Sequence, residues 1–99
     1  MKSFKVILFI ILLTACSKKD FTYQPTHGYV PDENTALKVA EALWFPVYGD
    51  LIYESTPFVA RQQGDTWIVT GTLHTEFGGV PYIEISKVDC RVLKMYHGK

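Results

Sequence analysis

Pro57-Phe58-Val59-Ala60-Arg61-Gln62-Gln63-Gly64-Asp65-Thr66-Trp67-Ile68-Val69-Thr70-Gly71-Thr72-Leu73 is the stretch that decides the fold. Apolar and polar residues alternate here with a period of two, first from Phe58 to Arg61 and then in Trp67, Val69, Gly71 and Leu73, whose neighbours are mostly polar. Successive side chains of a strand point to opposite faces, so this period predicts two half-buried strands. Gln63-Gly64-Asp65 between them supplies the turn of a β-hairpin.

On the C-terminal side, Gly78-Gly79 breaks the chain before a third strand, Val80 to Ser86, and Val88-Asp89-Cys90-Arg91 turns it into a fourth, Val92 to His97. On the N-terminal side the period changes to that of a helix. Asp32 is a suitable N-cap, Glu33 sits in the positive first turn, and Ala36, Leu37, Ala40, Leu43 and Trp44 form one apolar stripe. Pro46 disfavours helical geometry at Phe45 and is expected to end the helix nearby, with a further short helical turn within Val47 to Tyr53 and Gly49-Asp50 as a breaker. The half-buried strands need a cover for one face, and the helix is the element that can supply it. The expected architecture is α+β: one main N-terminal helix packed on a curved antiparallel sheet of about four strands.

The N-terminus has a different character. Lys2 and Lys5 precede an unbroken apolar run from Val6 to Leu13, closed by Thr14 and Ala15 before Cys16. As a helix the run spans only about 12 Å at ~1.5 Å per residue, well short of the roughly 20 residues of a membrane span. This is the pattern of an export signal. Leu13-Thr14-Ala15-Cys16 resembles the lipobox of bacterial lipoproteins, which implies a signal peptide over residues 1–15 and lipidation of Cys16. Acyl chains bury about 0.8 kcal/mol per methylene, so two or three give stable membrane anchoring. Residues 16–28 read as a polar, lipidated tether whose flexible span, roughly 5–6 Å × √n, is near 20 Å. By resemblance to enterobacterial sorting, Ser17 after the cysteine points to the periplasmic face of the outer membrane.

Residues 29–99 remain for one domain with a modest core. The chain has ten Lys and Arg against ten Asp and Glu, but Lys2, Lys5, Lys18 and Lys19 all precede Asp20. The domain is therefore acidic, which argues against nucleic acid and for a basic partner. With Cys16 lipidated, Cys90 is left without an intrachain disulfide partner. It is either a reactive thiol or an intermolecular disulfide site or, as expected, an ordinary turn residue.

Several segments, read together, resemble a known family. They are Val30-Pro31-Asp32-Glu33, the helix end near Trp44-Phe45-Pro46, Tyr48-Gly49, Pro57-Phe58, Trp67 to Leu73, Gly78-Gly79-Val80-Pro81-Tyr82-Ile83-Glu84-Ile85 and His97-Gly98-Lys99. In this order and spacing they are similar to the small bacterial immunity proteins with a nuclear transport factor 2-like fold, over about residues 29–99. The resemblance implies a cystatin-like α+β sheet and a role in bacterial competition, in which the domain binds a cognate toxin domain and blocks it. The family's turn after Asp89 usually carries glycine where this chain has Cys90, so a positive φ there would strain the cysteine.

Larger members of that fold enclose a conical pocket, and some catalyse proton transfers. With one full helix in view, a deep water-excluding pocket is hard to close, and neither catalysis nor a cofactor is expected. His74 and Glu76 share one side of an extended segment, as half of a metal or acid–base site would, but no second close-spaced ligand pair accompanies them. Trp44 and Trp67 lie on core stripes, so packing rather than ligand stacking is expected. Ile68, Thr70, Thr72, Tyr82 and Glu84 alternate onto the outer sheet face, a mixed apolar, hydroxyl and acidic surface. It is either a solvated face or a partner surface, and Thr70, Thr72, His74, Glu76, Tyr82 and Glu84 are the candidate binding residues.

Two functions remain in view. One is a lipid-anchored immunity-type protein that neutralises a toxin by protein–protein contact. The alternative is an envelope lipoprotein whose domain binds a peptide, protease or small ligand through an exposed sheet edge.

Overall fold

The computed structural model describes residues 22–98; the expected signal peptide and Cys16 lie outside the described residues. In chain order come a helix α1 (Glu33–Tyr48), a 3-10 helix (Gly49–Ser55) and four strands, β1 (Val59–Gln63), β2 (Thr66–Thr70), β3 (Pro81–Ser86) and β4 (Val92–His97). The strands form one antiparallel sheet in the order β1-β2-β3-β4. α1 packs across β1, β2 and β3. The expected α+β arrangement is the one observed.

α1 starts where the Asp32 carboxylate, on extended backbone, accepts the Thr35 N–H at 2.8 Å. That bond satisfies one of the orphan donors of the first turn and holds the Asp32 carboxyl below its ordinary range. Ala36, Ala40 and Trp44 are fully buried at helical spacing, and Leu37 and Leu43 flank them against the core. The helix does not stop at Pro46, as the sequence suggested; it runs two residues further to Tyr48. Proline lacks the N–H that would bond the carbonyl four residues back. Here that residue is Ala42, which is exposed, so the freed carbonyl lies on the solvent side. Gly49, at φ 67, ends the helix by donating its N–H to the Phe45 carbonyl.

The hairpin pairs Val59 with Thr70 through Gln63 with Thr66, with Gly64 at φ 61 in the turn. Trp67 and Val69 face α1, as their alternation predicted. Leu73 does not continue the pattern: β2 ends at Thr70, and Leu73 is 52% exposed. The cause lies at Gly71, where a Cβ would stand 2.6 Å from that of Ser55 and 3.0 Å from Pro81. The backbone threads this gap, Gly71 N–H donating to the Pro81 carbonyl and Thr72 N–H to Ser55. The chain is thereby drawn off the ladder toward the 3-10 helix.

Trp44, Ile52, Val69, Ile83 and Ile85 fill the space between helix and sheet. Phe58 meets the Trp44 indole edge-on at 5.1 Å. Val30 joins this core because the segment ahead of α1 docks on the β3–β4 turn. Tyr29 and Val30 donate N–H bonds to the carbonyls of Val88 (3.1 Å) and Lys87 (3.0 Å), and the buried Trp67 Nε1 donates to the Val30 carbonyl at 2.8 Å. In the turn itself Cys90 has φ 63, the left-handed conformation that glycine adopts without strain.

Candidate functional site

Three of the six candidate residues share one surface. Thr70 pairs with Tyr82 and Tyr82 with Tyr96 across β2, β3 and β4, while Ile68 pairs with Glu84 and Glu84 with Lys94 in the next row. This face points away from α1. The Tyr82 hydroxyl donates to the Glu84 carboxylate, and its ring lies 4.6 Å from that of Tyr96. The hydrogen bond to Glu84, with lesser contributions from burial and the carboxylate's charge, pushes the Tyr82 phenol up to about 12. Ile68 is only 7% exposed although no helix covers it, so the side chains of its own sheet shield it. On the outer face Tyr82 and Glu84 are thus bonded to each other, while Val59 and Tyr96 stay about half exposed.

Thr72, His74 and Glu76 lie elsewhere, in the loop between β2 and β3. The Thr72 hydroxyl donates to the Pro57 carbonyl at 2.6 Å. His74 Nε2 lies 2.6 Å from the Thr56 carbonyl, which can only accept, so Nε2 carries the proton. These two side chains pin the loop to the segment leading into β1. Glu76 is exposed. The loop also walls a hollow of about 390 Å³ in which Leu51, Glu54, Leu73, His74, Phe77 and His97 take part. Two histidines and a glutamate border it, yet among the described residues no group of three or more His, Cys, Asp or Glu is placed to hold a metal ion.

A second hollow, of about 480 Å³, lies along the solvent side of α1, between Lys38, Glu41, Ala42, Phe45, Pro46 and Tyr53. Tyr53 donates its hydroxyl to Glu41 at 2.8 Å, which raises the tyrosine's pKa. Its ring lies 6.3 Å from Phe45 and 6.5 Å from Phe58. A run of aromatic contacts therefore leads from buried Trp44 through Phe58 and Tyr53 to Phe45 at the surface. Pattern reading assigned no role to Phe45, Leu51, Tyr53 or Phe77. The available signal was their position: Phe45 is a large apolar residue beside the Ala36, Ala40 and Trp44 stripe rather than on it.

The family model described as NTF2 fold immunity protein matches residues 35–99, from the first turn of α1 to the last residue. The chain belongs to this immunity protein family. Its helix-on-sheet architecture is accordingly the nuclear transport factor 2-like one. The chain is also 38% identical over 73 residues to the uncharacterised protein YhhH of Escherichia coli (strain K12), covering 71% of this chain and 58% of that protein. This immunity-family chain thus spans little more than half the length of the curated relative it matches. No solved structure matches it.

Proposed function

We propose that this protein is a lipid-anchored immunity protein that neutralises a cognate toxin by covering one of the toxin's functional surfaces, without catalysis of its own. Membership of the immunity family across residues 35–99 carries the reading. The open hollows that border the 3-10 helix, one along α1 and one under the β2–β3 loop, suit contact with another protein better than enclosure of a small substrate. The N-terminal pattern that ends in Cys16 suits a domain that meets incoming toxin at the cell envelope, on the periplasmic face of the outer membrane.

The test is co-expression of the full-length protein with toxins encoded beside its gene. Growth should be restored and a complex recovered; if no such toxin is bound or neutralised, the reading fails. Anchoring has its own test. Cys16→Ala should move the protein out of the membrane fraction, and undiminished membrane association would refute lipidation.

One observation favours a second reading. Among the described residues β1 pairs only with β2 and β4 only with β3, which leaves both sheet edges open to a strand from a peptide or protease. An envelope protease or peptide recovered as the sole partner would favour it.

A further inference from the structure

The domain's acidity belongs almost wholly to its helical half. Between residues 31 and 58 stand Asp32, Glu33, Glu41, Asp50 and Glu54 against Lys38 alone. Between residues 59 and 98, Arg61, Lys87, Arg91 and Lys94 balance Asp65, Glu76, Glu84 and Asp89. The net negative charge thus sits on α1 and the 3-10 helix, away from the sheet.

The same side carries large apolar groups turned to solvent. The 3-10 helix borders both hollows: Tyr53 lines the one along α1, while Leu51 and Glu54 line the one under the β2–β3 loop. Leu51 is 67% exposed and Phe77, across the second hollow, 84%. Tyr53 is held by its bond to Glu41 and by the rings on either side, so docking costs it little conformational entropy. Fixed aromatic anchors in an apolar depression with charged surroundings are the usual makings of a binding hot spot. The outer sheet face offers less, because Tyr82 and Glu84 are bonded to each other and Ile68 is already shielded.

We infer that the ridge of the 3-10 helix, with the hollow on each side of it, is the surface that engages the toxin, and that the toxin presents an apolar projection ringed by Lys and Arg. This rests on the immunity reading. Complementary charge speeds encounter and selects the partner, while the apolar groups hold it.

The probe is the catalytically inactivated toxin domain encoded beside the gene, titrated against full-length protein in detergent. Leu51→Lys combined with Glu54→Lys should weaken binding at least 30-fold, and Phe77→Ser alone at least threefold. Val59→Lys, on the outer sheet face, should stay within twofold of wild type. Raising salt from 50 to 300 mM should weaken the wild-type complex at least fivefold. Leu51, Glu54 and Phe77 are exposed, so circular dichroism and Tm should match wild type. Binding that survives the double substitution, or is lost with Val59→Lys instead, overturns this assignment alone. Concentration-dependent dimerisation abolished by Leu51→Lys would give the surface to a second copy and also overturn it. A wild-type protein that binds no such toxin overturns the immunity reading and this one with it.

Discussion

Cys90 combines a left-handed backbone with a side chain packed partly against the core. A Cβ at positive φ is unfavourable by roughly 1–2 kcal/mol, whereas glycine adopts that conformation freely. The thiol's packing opposes this, so replacing cysteine alone mixes two effects. Comparing Cys90→Gly with Cys90→Ala removes the sulfur from both. The glycine variant should be more stable by about 1 kcal/mol in urea unfolding; equal stabilities would show that the turn relaxes. Tyr82 offers a second test at this scale. Its hydrogen bond to Glu84 favours the neutral phenol, so its folded pKa of about 12 lies above the ordinary 10.0. The stabilisation is complete below 10.0 and is lost as pH rises through about 12. In an absorbance titration at 295 nm, Tyr82→Phe should remove the latest-titrating tyrosine. Survival of that step would mean that Tyr82 is not its source.

Elements were legible in the sequence where their pattern was local. The Asp32 cap and the stripe through Ala36, Ala40 and Trp44 follow from spacing alone, as does the alternation of Trp67 and Val69. What was not legible came from contacts between distant segments. The helix passes Pro46 because the carbonyl left free lies on an exposed face, which no rule about proline reveals. β2 stops at Thr70 because Gly71 must squeeze between Ser55 and Pro81. The docking of Gly28 to Val30 on the β3–β4 turn is a third case. Gly28 stands at φ 86, and a Cβ there would lie 2.4 Å from the Lys87 carbonyl oxygen. Gly28→Ala should therefore lift this segment from the turn. Because Trp67 Nε1 bonds the Val30 carbonyl, the expected outcome is faster amide exchange at Tyr29 and Val30 with a change in tryptophan emission. Unaltered exchange would show that the turn can yield at Lys87.

For the molecule as a whole, α1 covers one sheet face, and everything rests on a single layer of side chains between them. Much of that layer was readable, including the two tryptophans, but Ile52 and Val30, brought in by the 3-10 helix and the segment ahead of α1, were not. The candidate binding side was not, because its hollows form only where the 3-10 helix meets α1 on one side and the β2–β3 loop on the other. Spacing also brought Thr70, Tyr82 and Glu84 together correctly on the outer face, but could not show that Tyr82 and Glu84 are bonded to each other. Trp44 sits at the centre of the layer, fully buried against Phe58, with an indole N–H that has no hydrogen-bond partner among the described residues. Truncation to alanine at such a site costs about 3–5 kcal/mol. A domain of this size has roughly 4–11 kcal/mol in all, at about 0.05–0.15 kcal/mol per residue. Trp44→Ala should therefore lower the urea midpoint by about a quarter or more, or leave no folded state at 37 °C. Trp44→Phe keeps a ring against Phe58 and removes the unpaired donor, whose burial is itself unfavourable. It should consequently cost less than half as much. If the two variants unfolded at the same midpoint, Trp44 would not be the residue on which helix and sheet close, and the single-layer account of this domain's stability would be wrong.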